Sequence, residues 1–363
     1  MRDRIEQSLG RGGSITFVGS GQSEVVPWAR LHDDARAMAA ALQSRGIGPG
    51  DHVALIGPTT RPLVTAIQAT WLAGATAVML PLPMRMGSIE EFVAQTRLRV
   101  ANADAALVAV DPDLAGFLAP GSAAEDTAPL VQLPELAAGP GRPLGRHLED
   151  VAIDPASLAI LQFTSGSTAD PKGVMLPHAV VCANLDAIAH GLALDPDDDV
   201  AVSWLPLYHD MGLIGLLTVP MTTGTDLVLG SPQEFLGSPA RWMEWMSAFR
   251  GTCTAGPNFS YALAARALRR SDPLDLSRWR IALNGAEPID PASVEAFVEA
   301  GAPHGLRPGA VFCAFGMAEA TLGVTFPVPL AGMRTDAVSR RVLESDRYAA
   351  PSDPGADGTR RLA

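Results

Sequence analysis

Short apolar runs alternate with helical patterns along the first hundred residues, and that alternation builds a mostly parallel sheet flanked by helices. Residues 14–18 read as a strand. Residues 30–44 carry apolar positions at helical spacing and stop at Gly46, after which GIGPGD turns into a strand at 52–56. A helix at 63–72, a buried strand at 77–80 after Gly74, a helix at 89–100 and a strand at 105–110 continue the pattern. Residues 111–150, rich in Pro, Gly and Ala and containing GPGRPLG, read as a loop-rich connection. Beyond it the apolar run 158–163 predicts a buried strand, and 177–190 a helix ended by Gly191, so the intervening segment is expected in a strand, loop, helix context. Ser238 and Pro239 ahead of Trp242, Trp245, Met246 and Phe249 predict a capped helix whose aromatic stripe is core, and Asp290 and Pro291 open another that closes at Gly301. From Pro327 onward periodicity fades, which predicts a mobile tail.

A chain of 363 residues, 47% hydrophobic and 18% charged, can bury a large core. A net charge of −12, with no basic cluster beyond Arg269-Arg270, Arg340-Arg341 and Arg360-Arg361, argues against nucleic acid as a partner. Cys182, Cys253 and Cys313 are too few and too dispersed for a disulfide framework or a zinc site, and read as core residues of a protein in a reducing compartment. No stretch approaches ~18 uninterrupted apolar residues, and the N-terminus lacks a secretory apolar region. The expectation is a cytoplasmic enzyme without stable membrane insertion.

The segment between the strand at 158–163 and the helix at 177–190 is built almost entirely of small, hydroxylated and glycine residues, and it holds Lys172, the one lysine of the chain. A loop of this kind offers backbone N–H groups and the hydroxyls of Thr164, Ser165, Ser167 and Thr168 to phosphate oxygens, while Gly166 and Gly173 let the backbone approach closely. Lys172 adds a compact positive charge that arginine does not imitate. On these residues alone, a solvated polar loop stays open as the other reading. Pro171 before Lys172 departs from the P-loop NTPase pattern, and no G-x-S-x-G of a serine hydrolase appears. His209 and Asp210 could form a metal set, a general base or a structural pair; no second His or Cys lies near in sequence, which disfavours metal.

Five segments in order, TSGSTADPKGV, SWLPLYHDMGLIG (203–215), TAGPNFSYAL (254–263), ALNGAEPID (282–290) and AFGMAEATLG (314–323), resemble the adenylate-forming superfamily, most closely its fatty acyl-AMP ligase branch. The resemblance implies the large N-terminal region of the adenylate-forming α/β fold: two αβαβα-type layered subdomains and part of a small β subdomain. Residues 1–150 would be the first subdomain portion, 151–326 the nucleotide- and acyl-binding subdomain, and 327–363 a Pro/Gly-rich tail or the insertion that distinguishes acyl-AMP ligases.

The chemistry it implies is ATP-dependent activation of a carboxylic acid, with ATP and Mg²⁺ as cofactors and the phosphopantetheine thiol of an acyl carrier protein as acceptor. An acyl-CoA ligase using CoA is the neighbouring reading, and a non-catalytic nucleotide-binding fragment the reading from another class. A negative nucleophile must approach a polyanion, so charge has to be neutralised at the phosphates. The resemblance assigns Lys172 and the loop to the phosphates and Glu319 to the metal. It sets Asn284, Gly285, Ala286 and Glu287 beside adenine and the α-phosphate, and Phe315, ahead of Gly316, Met317 and Ala318, against the adenine face. His209 falls beside the acyl carboxylate in a positioning and gating role, since a carboxylate is already ionised near pH 7 and needs no base. Met211, Gly212, Leu213, Ile214 and Gly215, with Gly256, Asn258 and Ser260, would abut the acyl channel. The family's C-terminal lysine domain and its ribose-binding aspartate motif have no match in the sequence, which predicts weak or absent adenylation by these residues alone.

Overall fold

In the computed structural model, described over residues 1–19, 21–83, 88–118, 128–138, 148–163 and 172–363, two large sheets form the frame of the fold. The strands in chain order are β1 (Ser14–Gly19), β2 (Gln22–Pro27), β3 (His52–Ile56), β4 (Thr76–Met79), β5 (Ala105–Val110), β6 (Leu130–Gln132), β7 (Leu158–Phe163) and β8 (Gly173–Pro177). They continue with β9 (Val200–Ser203), β10 (Asp226–Leu229), β11 (Cys253–Gly256), β12 (Ile281–Asn284) and β13 (Val311–Cys313). One sheet runs β6-β5-β3-β4-β7-β8, the other β13-β12-β11-β9-β10-β1-β2. Pairing is parallel throughout except at the terminal pairs β7/β8 and β1/β2. Sheets covered on both faces explain why HVALI, TAVM and ALVAV are nearly continuous apolar runs.

Helices Trp28–Gln43 and Arg61–Leu72 cover the first sheet and pack on one another, the second entering through Pro62 at its first turn. Trp71 is fully buried and donates its indole N–H to the Ala159 carbonyl at 2.9 Å, fastening helix to β7. Under the second sheet, Trp204 stacks on Phe235 with centroids 3.8 Å apart, and Trp242, Tyr261, Trp279 and Phe297 meet edge to face. The expected aromatic helix is present as Ala240–Ala248, with Trp242 and Met246 in the core.

Three readings of the sequence need correction. A second strand stands ahead of the helix: β8 pairs antiparallel with β7, and the helix His178–Gly191 opens directly from β8. Residues 111–150 are not merely a connection, since Pro112–Leu118 and Leu133–Ala138 are helical and β6 forms the edge of the first sheet. The stretch beyond Pro327 also has regular structure: β14 (Phe315–Gly316) pairs with β15 (Gly323–Thr325) ahead of it, and within it β16 (Asp336–Ser339) pairs with β17 (Thr359–Leu362) across the helix Arg340–Asp346. Sheet membership also runs across residue 150, because β1 and β2 join the second sheet while β7 and β8 join the first. No helix of the described residues is long and apolar enough to cross a membrane.

Candidate active site

Parallel strands end together, and the turns beyond their carboxyl ends make the natural crevice of such a sheet. Beyond β9 lie Trp204 to Asp210, beyond β11 Pro257 and Asn258, beyond β12 Gly285 to Glu287, and beyond β13 Ala314 to Glu319. The turns after β9, β12 and β13, together with β11 itself, border a cavity of about 440 Å³. The exposed or half-exposed lining residues include His209, Ala286, Phe315, Gly316 and Glu319; the buried part of the lining is mainly apolar, with Ile188, Leu192, Leu216, Cys253 and Ile281, beside the polar Gln162, Asp210 and Thr254.

Phe315 is 57% exposed on the short strand β14 and lines this cavity. An exposed aromatic on a cavity wall is available for stacking, whereas a core phenylalanine would not be. Gly316 has no room for a side chain: a Cβ there would stand 2.1 Å from the Leu322 carbonyl oxygen. Ala286, exposed and also lining the cavity, has φ +68°, and Thr321, two residues after Glu319, has φ +76° with its hydroxyl fully buried and unpartnered. Left-handed backbone at two non-glycine residues beside one cavity is strain concentrated where ligands bind.

His209 is half-exposed, with its Nδ1 2.6 Å from Asp210 Oδ1, and this carboxylate raises the imidazole pKa above its ordinary value. Asp210 also accepts the Met211 N–H at 2.7 Å. That bond starts the π-helix Met211–Thr218, in which the Thr218 hydroxyl donates to the Leu213 carbonyl. A π-helix is rare and is found mostly at functional sites. Here it turns Met211, Gly215 and Leu216 toward the cavity.

Other expected site residues hold the walls from outside the lining. Gly212 packs its Cα against the Pro206 carbonyl, where a Cβ would come within 2.3 Å, and Leu213 and Ile214 are fully buried. A Cβ on Gly256 would meet the Ser260 hydroxyl, which is buried and donates to Pro257. Asn258 Oδ1 accepts from Asn284 Nδ2 and from the Asp290 N–H, both at 3.2 Å, and Glu287 accepts the Phe259 N–H at 2.7 Å. These bonds tie the turns after β11 and β12 together. Asn258, Asn284, Glu287, Ser260 and Met317 are not among the residues lining the cavity. Lys172 is exposed just ahead of β8, where Gly173 pairs with Phe163, itself on the cavity wall. Thr164, Ser165, Gly166, Ser167 and Thr168 lie outside the described residues.

Among the lining residues that escaped the sequence reading are two polar ones, buried or half-buried. Gln162, 5% exposed on β7, has an unpartnered Oε1, and Arg99 lines the cavity from the helix Ile89–Asn102 with a buried, unpartnered Nε. Burial pulls the Arg99 pKa below the usual guanidinium value. A glutamine inside the run LAILQF is a signal of a buried polar group. Arg99 gives none, being far from every motif in the chain.

Residues 6–347 match the AMP-binding enzyme family. The long-chain-fatty-acid–AMP ligase FadD26 of Mycobacterium marinum is 34% identical over 326 residues, 87% of this chain and 54% of its own. The medium-chain-fatty-acid–[acyl-carrier-protein] ligase JamA of Moorena producens is 30% identical, over 93% of this chain and 57% of its own. A fatty acyl-adenylate ligase of Legionella pneumophila, solved in complex with acyl adenylate and pyrophosphate, superposes with a TM-score of 0.88 at 29% identity, covering 99% of this chain and 62% of that one. The chain spans between 54% and 60% of the length of the curated relatives it matches.

Proposed function

The chain belongs to the AMP-binding enzyme family, and from that premise we propose that it activates a fatty or other hydrophobic carboxylic acid with ATP, giving an acyl-adenylate and pyrophosphate for transfer to a carrier-protein phosphopantetheine thiol. The observation that carries this reading is the cavity itself, whose lining combines the exposed aromatic Phe315 and the exposed ionisable Glu319 and His209 with the buried apolar Ile188, Leu192 and Ile281. An acyl-adenylate has that same division of polarity. The acid's carboxylate oxygen forms a bond to the α-phosphorus while the bond to the departing pyrophosphate breaks, and both species are anions.

Glu319 is the residue we assign to Mg²⁺, a hard ion that takes carboxylate oxygens and keeps its remaining positions for phosphate and water. Its exposure at the cavity wall and its place ahead of the unpartnered Thr321 hydroxyl fit that assignment. When bound, the ion neutralises phosphate charge. Phe315 stacks on adenine, with Gly285 and Ala286 leaving room for the ring. Lys172 supplies positive charge beside the phosphates. His209, oriented by Asp210, holds the incoming carboxylate, and the buried apolar lining excludes water from the acyl chain. The name of JamA supports a carrier protein as acceptor. Because the relatives are longer, turnover is assigned to the whole enzyme and adenylate binding to the residues described.

Calorimetric titration with a non-hydrolysable acyl-adenylate analogue tests the reading. Wild type is expected to bind, and Phe315→Ala to bind about 5- to 150-fold more weakly, the equivalent of ~1–3 kcal/mol for a lost aromatic platform. Folded wild-type protein that takes up no analogue, or a Phe315→Ala variant that binds equally well, would contradict it.

A further inference from the structure

A second cavity, of about 790 Å³, lies away from the first and shares no lining residue with it. Its walls are the helix Arg2–Ser8 and the start of the helix His178–Gly191, tied together by the Arg4–Asp186 ion pair. His178 and Cys182 stand one turn apart on the same helix face, and both line the cavity. His178 is 2% exposed, yet neither ring nitrogen has a hydrogen-bond partner. An orphaned imidazole buried against a cavity calls for a ligand.

Cys182 is a free, partly exposed thiol at the border of the core. Its S–H points at the thioether sulfur of Met1, 3.8 Å away. Two sulfurs bonded to one ion at ~2.3 Å and separated by 3.8 Å subtend an angle of about 110°, as in trigonal or tetrahedral coordination. An ion can therefore replace the thiol proton without moving either sulfur. The Arg4 guanidinium lies beside Cys182.

The surroundings do not suit an anion. Arg2 pairs with Asp150 and Asp3, Arg4 with Asp186, and Arg11 with Asp197, so four carboxylates answer three guanidinium groups. Hard divalent ions are also poorly served, since among the described residues no three side chains drawn from His, Cys, Asp and Glu gather to hold a metal. The third donor is a thioether, which soft ions accept and hard ones do not.

We propose that Met1, His178 and Cys182 form a binding site for a soft monovalent metal ion of the Cu(I) type. On binding, the ion takes the place of the Cys182 thiol proton, and the unpartnered ring of His178 supplies the nitrogen donor.

Anaerobic competition with bicinchoninate for Cu(I), followed by X-ray absorption at the copper edge, tests the site on the whole chain. The expected result is one ion per chain, with two sulfur neighbours at ~2.3 Å and one nitrogen. Cys182→Ser should weaken binding by at least about tenfold, and Cys313→Ser should not change it. The proposal falls if wild type leaves the ion with the chelator, if no sulfur pair is seen, or if folded Cys182→Ser keeps wild-type affinity. Should Cys182→Ser fail to fold, the wild-type absorption spectrum decides alone.

Discussion

Replacing Arg280 by methionine isolates the polar anchor behind the apolar lining of the active-site cavity. Arg280 donates its Nε–H to Asp199 Oδ1 at 2.7 Å, contacts Asp199 Oδ2 with Nη2, and donates to the carbonyls of Leu192 at 2.7 Å and Ala193 at 3.2 Å. Asp199 is 3% exposed and also accepts from the Thr252 hydroxyl at 2.7 Å and the Asp195 N–H at 2.8 Å. Methionine matches the stem of arginine but leaves a buried carboxylate without its counter-charge, a change that costs ~3–5 kcal/mol. The pH dependence follows in sign. In wild type, burial pushes the Asp199 pKa up but the bonds to Arg280 and Thr252 pull it further down, to a net value below the usual carboxylate range. Its stabilisation is present above the unfolded pKa of ~3.9 and is lost as pH falls through the folded value. In Arg280→Met burial dominates, the folded pKa rises above the unfolded one, and the penalty disappears as the carboxyl protonates. Urea unfolding at pH 7 and pH 4 should show a deficit of ~3–5 kcal/mol that narrows in acid, with an unchanged m-value. A deficit under ~1 kcal/mol at pH 7, the range of an exposed ion pair, or one equal at both pH values, refutes the reasoning. Since Leu192 lines the cavity, acyl-adenylate binding should weaken alongside.

Three further outcomes are expected. Ala286→Gly relieves the left-handed backbone and should raise stability in urea by ~1 kcal/mol. Gly316→Ala drives a methyl against the Leu322 carbonyl, and should cost ~1–3 kcal/mol by the same assay and abolish the calorimetric signal for the adenylate analogue. Asp210→Asn should lower the His209 pKa toward ~6.5 in an NMR titration; the stability that wild type holds below that pH, and loses as pH rises through the raised folded value, should vanish with it.

The sequence made the parallel sheets legible because doubly covered strands such as TAVM and ALVAV are apolar without interruption, and their connecting helices carry their own period. Phe315, Glu319, Gly285 and His209 were legible only through resemblance; composition would have put Phe315 in the core, where it is not. Strand β8 was hidden because Gly173 and Pro177 bracket just three residues, too short a run to reveal a period. Arg99 reaches the cavity through tertiary packing alone, and β6 owes its strand to an open edge on β5. Neither fact is written locally.

The lacing of the two sheets has a consequence for the order in which the molecule can be made. The hairpin β1–β2 completes an edge whose partner β10 begins at Asp226, about 200 residues later. At ~5–20 residues per second of synthesis, that hairpin waits on the order of 10–40 s for its neighbour. An isolated hairpin is marginal in water, and this one ends in an outer strand, SEVVP, with Val25 exposed. The first sheet waits as well, since β4 finds β7 only after residue 157. The first sheet has all its strands only at Pro177 and the second only at Cys313, so the nascent protein carries open edges for long enough to need a chaperone's cover.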